Sequence, residues 1–186
     1  MANFWDWRPR SAESSTASTA VAELQSTLHP VELYTKTAMV SGLIAAEGRR
    51  LSDILNSNTT LPIRDACSTS LLSNVNGEQG SGWTSIDTDD ILFAVPPEHE
   101  SPRQLRIHRR QHRVRIRTGP VTLTGTAHVL PGVTLDAYAL RRQMRFLALT
   151  DVQMYVDLST PFERAAPVVL VNVRPVNDLT EVTTIS

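Results

Sequence analysis

The chain holds one cysteine in 186 residues, and aromatic residues make up only 5% of it. The lone Cys67 excludes an internal disulfide framework and any multi-cysteine zinc site, and its apolar surroundings read as a small core position. So few aromatics leave the core to aliphatic side chains. With 41% hydrophobic and 20% charged residues, there is apolar content for one ordinary domain or two small ones. Lysine is nearly absent: Lys36 stands alone among 18 basic residues, the others being arginine. No apolar run approaches the ~20 residues of a membrane helix. The first ten residues lack the basic-then-apolar order of a secretory signal, so a soluble cytoplasmic protein without a membrane partner is expected. Motifs that carry chemistry are also scarce. There is no Gly-x-Ser-x-Gly turn and no metalloprotease helix. Gly77-x-x-Gly80-x-Gly82 lacks the Lys-Ser/Thr ending of a phosphate loop and reads as flexibility. No cofactor and no metal site are implied, and an enzyme would have only Asp53, Asp65 and Asp151 to work with.

Charge is present but unevenly spread. The net charge of −1 conceals residues 103–117 (RQLRIHRRQHRVRIR), which hold seven arginines and no acid, against −8 for the rest of the chain. Alternation places Val114 and Ile116 inward on a strand, with Arg113, Arg115 and Arg117 on its outward face and Arg106, Arg109 and Arg110 preceding them. Such a row can hold a phosphate backbone, with binding that weakens steeply in salt. The simpler reading is that the arginines pair with the acids elsewhere or guard a sheet edge, since a charge run alone is a weak signal. His108 and His112, four apart, are surrounded by arginine, which repels a metal cation. Asp87-x-Asp89-Asp90 lacks the glycine and distal glutamate of a calcium loop and reads as an acidic guard before the apolar run at Ile91.

Along the chain, residues 1–29 read as a flexible tail. It carries Phe4, Trp5 and Trp7, then a small-polar spacer, then a short helix from Val21 to Leu28. The remainder contains a degenerate repeat. Val31, Thr35 and Gly42 recur as Val114, Thr118 and Gly125, and Leu61-Pro-Ile63-Arg-Asp65-Ala66 matches Leu147-Ala-Leu149-Thr-Asp151-Val152. Ile91-Leu92-Phe93-Ala94-Val95 matches Val169–Val173 in the same way. Each copy reads as strands at 31–35, 40–45, 61–67 and 91–95, or at 113–117, 121–129, 146–156 and 168–173. The glycines Gly42 and Gly125 mark a bulge or bend. A short helix follows in each copy. At 53–56 it is capped by Ser52 or Asp53 and closed by a left-handed Asn56; at 137–144 it is capped by Thr134 or Asp136. The connection at 68–90 reads as a long mobile loop.

The expected fold is therefore mainly β. It comprises two tandem barrel-like repeats, 30–97 and 113–175, each with one short helix, a basic linker at 98–112 and a tail at 176–186. Packing of the copies as a pseudo-symmetric pair and a single closed barrel of intertwined copies are both open.

The run Gly42…Arg50-Leu51-Ser52-Asp53-Ile54-Leu55-Asn56…Asp65 resembles a family of uncharacterised bacterial domains with a strand glycine, an RLSD-x-LN segment and an apolar strand ending in Asp. The resemblance covers 31–95 well, whereas the second copy departs from the RLSDILN segment. That family has no established activity, so the resemblance implies no catalytic residues. The order of strands, with the Ile91–Val95 run and the Pro96-Pro97 stop, also looks like an Sm-like small barrel. The RNA-contacting motifs of those barrels are absent here, so this likeness implies fold alone.

Two functions follow as expectations. The first is a non-enzymatic interaction or scaffolding protein, with Phe4, Trp5 and Trp7 docking into a protein partner or folding back onto the chain itself. The second is nucleic-acid binding through Arg106–Arg117. Self-association is compatible with either.

Overall fold

A computed structural model describes residues 28–71, 76–96, 110–134, 144–157 and 161–182. These form β1 (Leu28–Thr35), β2 (Ala38–Ala45), α1 (Leu51–Ser57), β3 (Thr60–Ser70), β4 (Asn76–Gln79), β5 (Trp83–Asp87) and β6 (Ile91–Val95). The second half adds β7 (Arg110–Thr118), β8 (Val121–Val129), β9 (Phe146–Val156), β10 (Phe162–Asn172) and β11 (Asp178–Glu181). The fold is mainly β: one antiparallel sheet in the order β11-β7-β8-β9-β10-β6-β1-β2-β3-β4, with β5 also paired to β3. The path is open at both ends, so the single closed barrel is not what forms.

Several boundaries differ from expectation. Leu28, His29 and Pro30 begin β1 rather than ending a helix or tail. Pro30 is tolerated because β1 pairs with β6 only from Glu32 onward, so no ladder donor is missed on that side. β7 takes in Arg110–His112 from the expected linker, and β11 lies inside the expected C-terminal tail. The connection at 68–90 carries β4 and β5, which pair with the two halves of β3. The rest of the helix at 21–28 and residues 137–143 of the second expected helix lie outside the described residues. Helix α1 is also capped differently. Arg50 is its N-cap, with extended backbone and no side-chain cap bond, and Asn58, also extended, is its C-cap.

Two apolar clusters fill the structure. One gathers side chains of β7–β10, including Val114, Ile116, Leu149 and Met154, under Tyr34 and Phe93. The other lies under α1 and includes Leu33, Ile44, Leu55 and Ile63, with Phe146 and Leu170. β6 serves both: Ile91 and Ala94 join the second cluster, Leu92, Phe93 and Val95 the first. Burial on both faces is why β6 reads as an unbroken apolar run rather than an alternating one.

Gly42 and Gly125 each stand where a ladder shifts register, between Ser41 and Leu43 on β2 and between Thr124 and Thr126 on β8. A Cβ on Gly42 would lie 2.6 Å from Ile63 Cγ1 and 2.9 Å from the Arg64 carbonyl oxygen. On the facing strands Asp65 and Asp151 both adopt φ of 51°, a left-handed geometry that aspartate tolerates better than most residues. The strands do not end at these aspartates; they bend there and continue to Ser70 and Val156.

The halves also agree in pairing. β1-β2-β3 and β7-β8-β9 are the same meander. Leu33↔Ala94 and Tyr34↔Phe93 recur as Ile116↔Leu179 and Arg117↔Asp178. Thr60↔Asp87 recurs as Phe146↔Asn172. By position, then, β11 answers to β6, and β10 answers to β4 and β5. The expected match of 91–95 with 169–173 does not hold: those segments are direct neighbours, joined at Leu170↔Ala94 and Val171↔Phe93.

Candidate anion-binding face

Alternation on β7 holds as expected. Val114 and Ile116 are fully buried, Arg115 and Arg117 are exposed, and Arg113 is half-buried. Alternate residues on a strand stand about 6.8 Å apart, so the three arginines share one column along β7. The next strand sets Thr122, Thr124 and Thr126 opposite Arg117, Arg115 and Arg113. The third sets Tyr155 and Gln153 beside Thr122 and Thr124. The face thus offers three cations, a bank of hydroxyls and a Tyr155 ring that is 40% exposed.

The expectation that these arginines pair with the chain's own acids can be compared with the ion pairs among the described residues. Those are Arg64–Asp65, His112–Glu181, Arg145–Asp89, Arg164–Glu32 and Arg174–Asp89. None involves Arg110, Arg113, Arg115 or Arg117. Arg113 instead donates to the Asp151 carbonyl at 3.0 Å, which tethers it to the bend of β9. Asp178 lies across from Arg117 and accepts a hydrogen bond from Thr180 Oγ1 at 3.1 Å. Arg106 and Arg109 lie outside the described residues, as do Phe4, Trp5, Trp7 and His108. His112 Nδ1 is held 2.8 Å from Glu181 Oε1.

The remaining sequence candidates have structural places. Leu51 is buried and Ser52 half-buried in α1, while Asp53 is exposed in its first turn, where an acid suits the helix dipole. Asp65 Oδ1 accepts a hydrogen bond from Gly82 N (3.0 Å), and Asp65 N donates to Gly82 O (2.8 Å), so the bend of β3 is clasped by the glycine loop. Asp53, Asp65 and Asp151 are all exposed, on α1, β3 and β9 respectively. Among the described residues, no group of three or more His, Cys, Asp or Glu side chains gathers to hold a metal. No helix among them is long and apolar enough to cross a membrane. Cys67 is half-buried rather than a core residue.

Sequence reasoning missed a polar seam between the halves. Asn56 Oδ1 accepts from the backbone N–H groups of Arg145 (2.6 Å) and Phe146 (2.8 Å), and its Nδ2 donates to the Ser52 (2.8 Å) and Phe146 (3.3 Å) carbonyls. This commitment to β9 explains why Asn56 does not close the helix. Close by, fully buried Thr88 accepts from Arg145 and donates to Asn58 and Thr59 carbonyls at 3.0 Å. Buried Asn172 donates to the Ile91 carbonyl at 2.9 Å. Asp89, which read as an acidic guard, is the acceptor for Arg145 and Arg174.

A second bridge joins Glu32 of β1 to Arg164 of β10, with the Tyr34 phenol beside them and its ring stacked 4.3 Å from Phe93. Burial, then the neighbouring Glu32 charge, pushes the phenol's pKa upward, and the Glu32 hydrogen bond raises that of Arg164. A raised phenol pKa favours the neutral form in the folded state. The associated stability is complete below about pH 10 and is lost as pH rises through the folded value. Tyr34→Phe keeps the stack and removes the ionisation. Urea midpoints above pH 10 are expected to fall less steeply for the variant; parallel curves would remove Tyr34 from the alkaline transition.

Compared with known family models, curated proteins and solved structures, the chain matches none of them.

Proposed function

We propose that the protein is a non-enzymatic binding module made of two tandem barrel-like units, and that the β7–β9 face takes single-stranded nucleic acid. One observation carries this reading: Arg115 and Arg117 stand exposed on one column, outside every ion pair of the described residues. The column suits a phosphate chain, the threonines supply hydroxyl donors, and Tyr155 supplies a stacking surface two strands away, about 10 Å from Arg117. The tandem reading rests on the shared bends at Gly42 and Gly125, the two aspartates at φ 51°, and the matching registers.

The experiment is anisotropy of a labelled single-stranded oligonucleotide against the purified protein. Micromolar binding that survives near-physiological salt is expected, with Arg115→Ala/Arg117→Ala at least about tenfold weaker. Equal binding by the double variant rejects the face.

A second reading, a protein scaffold, is favoured by the Phe4, Trp5 and Trp7 cluster ahead of a polar spacer. Deleting residues 1–10 would then abolish a partner pull-down without lowering thermal stability. An unchanged pull-down rejects it.

A further inference from the structure

Among the described residues the sheet passes from one half to the other through one strand pairing, β10 with β6, at Leu170↔Ala94 and Val171↔Phe93. Both strands have a neighbour on each side. Their positional counterparts do not: β5 pairs only with β3, and β11 only with β7, among the described residues. Carried over by the same offset, the joint would set Ile86 of one copy opposite Asp178 of another, and Ser85 opposite Leu179. The free edges therefore have the strand direction and register to continue the sheet from copy to copy, head to tail.

Side chains at that joint are not carried over equally. On the β5 side Ile86 replaces Val171 and remains half-buried, and Trp83 is 56% exposed. That edge is still apolar. On the β11 side the change is complete. Where Tyr34 and Phe93 stack 4.3 Å apart and close the neighbouring core, Arg117 and Asp178 stand. Tyr34 and Phe93 are only 1% and 0% exposed, in the core cluster that also holds Val169 and Val171 of β10. A second copy would have to bury a guanidinium and a carboxylate in their place, and desolvating such a pair costs more than burying an aromatic stack.

We propose that Arg117 and Asp178 act as an end-stop: they block the head-to-tail joint with a second copy of this chain and hold the sheet at two units. The same block keeps the arginine column open to other partners. The inference rests on the reading of the halves as equivalent units. It assigns β11, a short strand with charges at both ends, the role of a terminal edge.

The test is Arg117→Tyr/Asp178→Phe in the full chain, followed by light scattering over a wide concentration range. The wild type is expected to stay at 20.6 kDa and the variant to form larger species that grow with concentration. Adding Trp83→Asp, which would face Glu181 across the new joint, is expected to return the variant to single chains. If the double variant fails to fold by circular dichroism, Asp178→Leu alone serves, with association at higher concentration expected. A wild type that already assembles overturns the proposal, as does a folded variant that stays single. Hydrogen exchange separates the two premises. Protected β6 and β10 amides in a variant that stays single overturn the end-stop alone, whereas unprotected ones overturn the equivalence of the units.

Discussion

Replacing Asn56 with alanine is expected to lower the unfolding free energy by about 3 kcal/mol, a large share of a small domain's stability. The side chain is half-buried, and its amide satisfies two backbone donors and one acceptor at the entry to β9, at residues 145 and 146, besides a carbonyl of its own helix. Alanine leaves those groups without partners at the seam between the halves, where water replaces them poorly. Asn56→Asp separates the two sides of the amide. It keeps the acceptor for the Arg145 and Phe146 N–H groups and loses the donor to Phe146 and Ser52, so a smaller loss is expected. Urea denaturation with an unchanged slope reads both variants. An alanine variant within about 0.5 kcal/mol of wild type would show that the seam is not a source of stability.

Gly42→Ala is expected to cost about as much, by a different mechanism. The added Cβ meets Ile63 side-chain atoms at 2.6 and 2.7 Å and the Arg64 carbonyl oxygen at 2.9 Å, so both a buried side chain and the backbone must move. Overpacking of this kind costs about 1–3 kcal/mol. Gly125→Ala makes an internal comparison. There the nearest atom is Val152 Cγ2 at 2.9 Å, and the backbone contact, Thr150 O, is 3.2 Å away. The Gly42 variant is therefore expected to be the less stable of the two. The reverse order would mean that the bend of β8 is the tighter one in solution.

Much of the fold was legible because its strands keep simple patterns. Val114 and Ile116 between arginines declare a half-buried strand, and Val121–Val129 alternates through its whole length. The two strand glycines could be read as bends because only a missing side chain allows the facing strand so close. The mismatch of 91–95 with 169–173 is equally physical. These segments resemble each other because they are neighbouring central strands, buried on both faces, and not because they hold equivalent positions. By position in the two meanders they answer instead to Asp178–Glu181 and Trp83–Asp87, edge strands that do not carry an unbroken apolar run. Burial wrote a stronger signal into the sequence than position in the sheet did. Nor did the sequence separate a helix-capping Asn56 from one that clamps a strand 90 residues away, since that distinction lies in a long-range contact.

The candidate face was legible in part. The arginine column followed from alternation, but Tyr155 joins it only through the β8–β9 register, and that Arg115 and Arg117 stand outside the ion pairs of the described residues is a fact of three-dimensional placement.

The most direct test of the binding face is the salt dependence of oligonucleotide affinity for wild type and for Arg113→Ala/Arg115→Ala/Arg117→Ala. Each phosphate neutralised contributes about 0.7 to the slope of log affinity against log salt for a single strand. Three lost contacts are expected to make the slope shallower by about 2, with weaker binding at every salt concentration and an unchanged fold. Matching slopes and affinities for the two proteins would contradict the account and leave the column as surface charge.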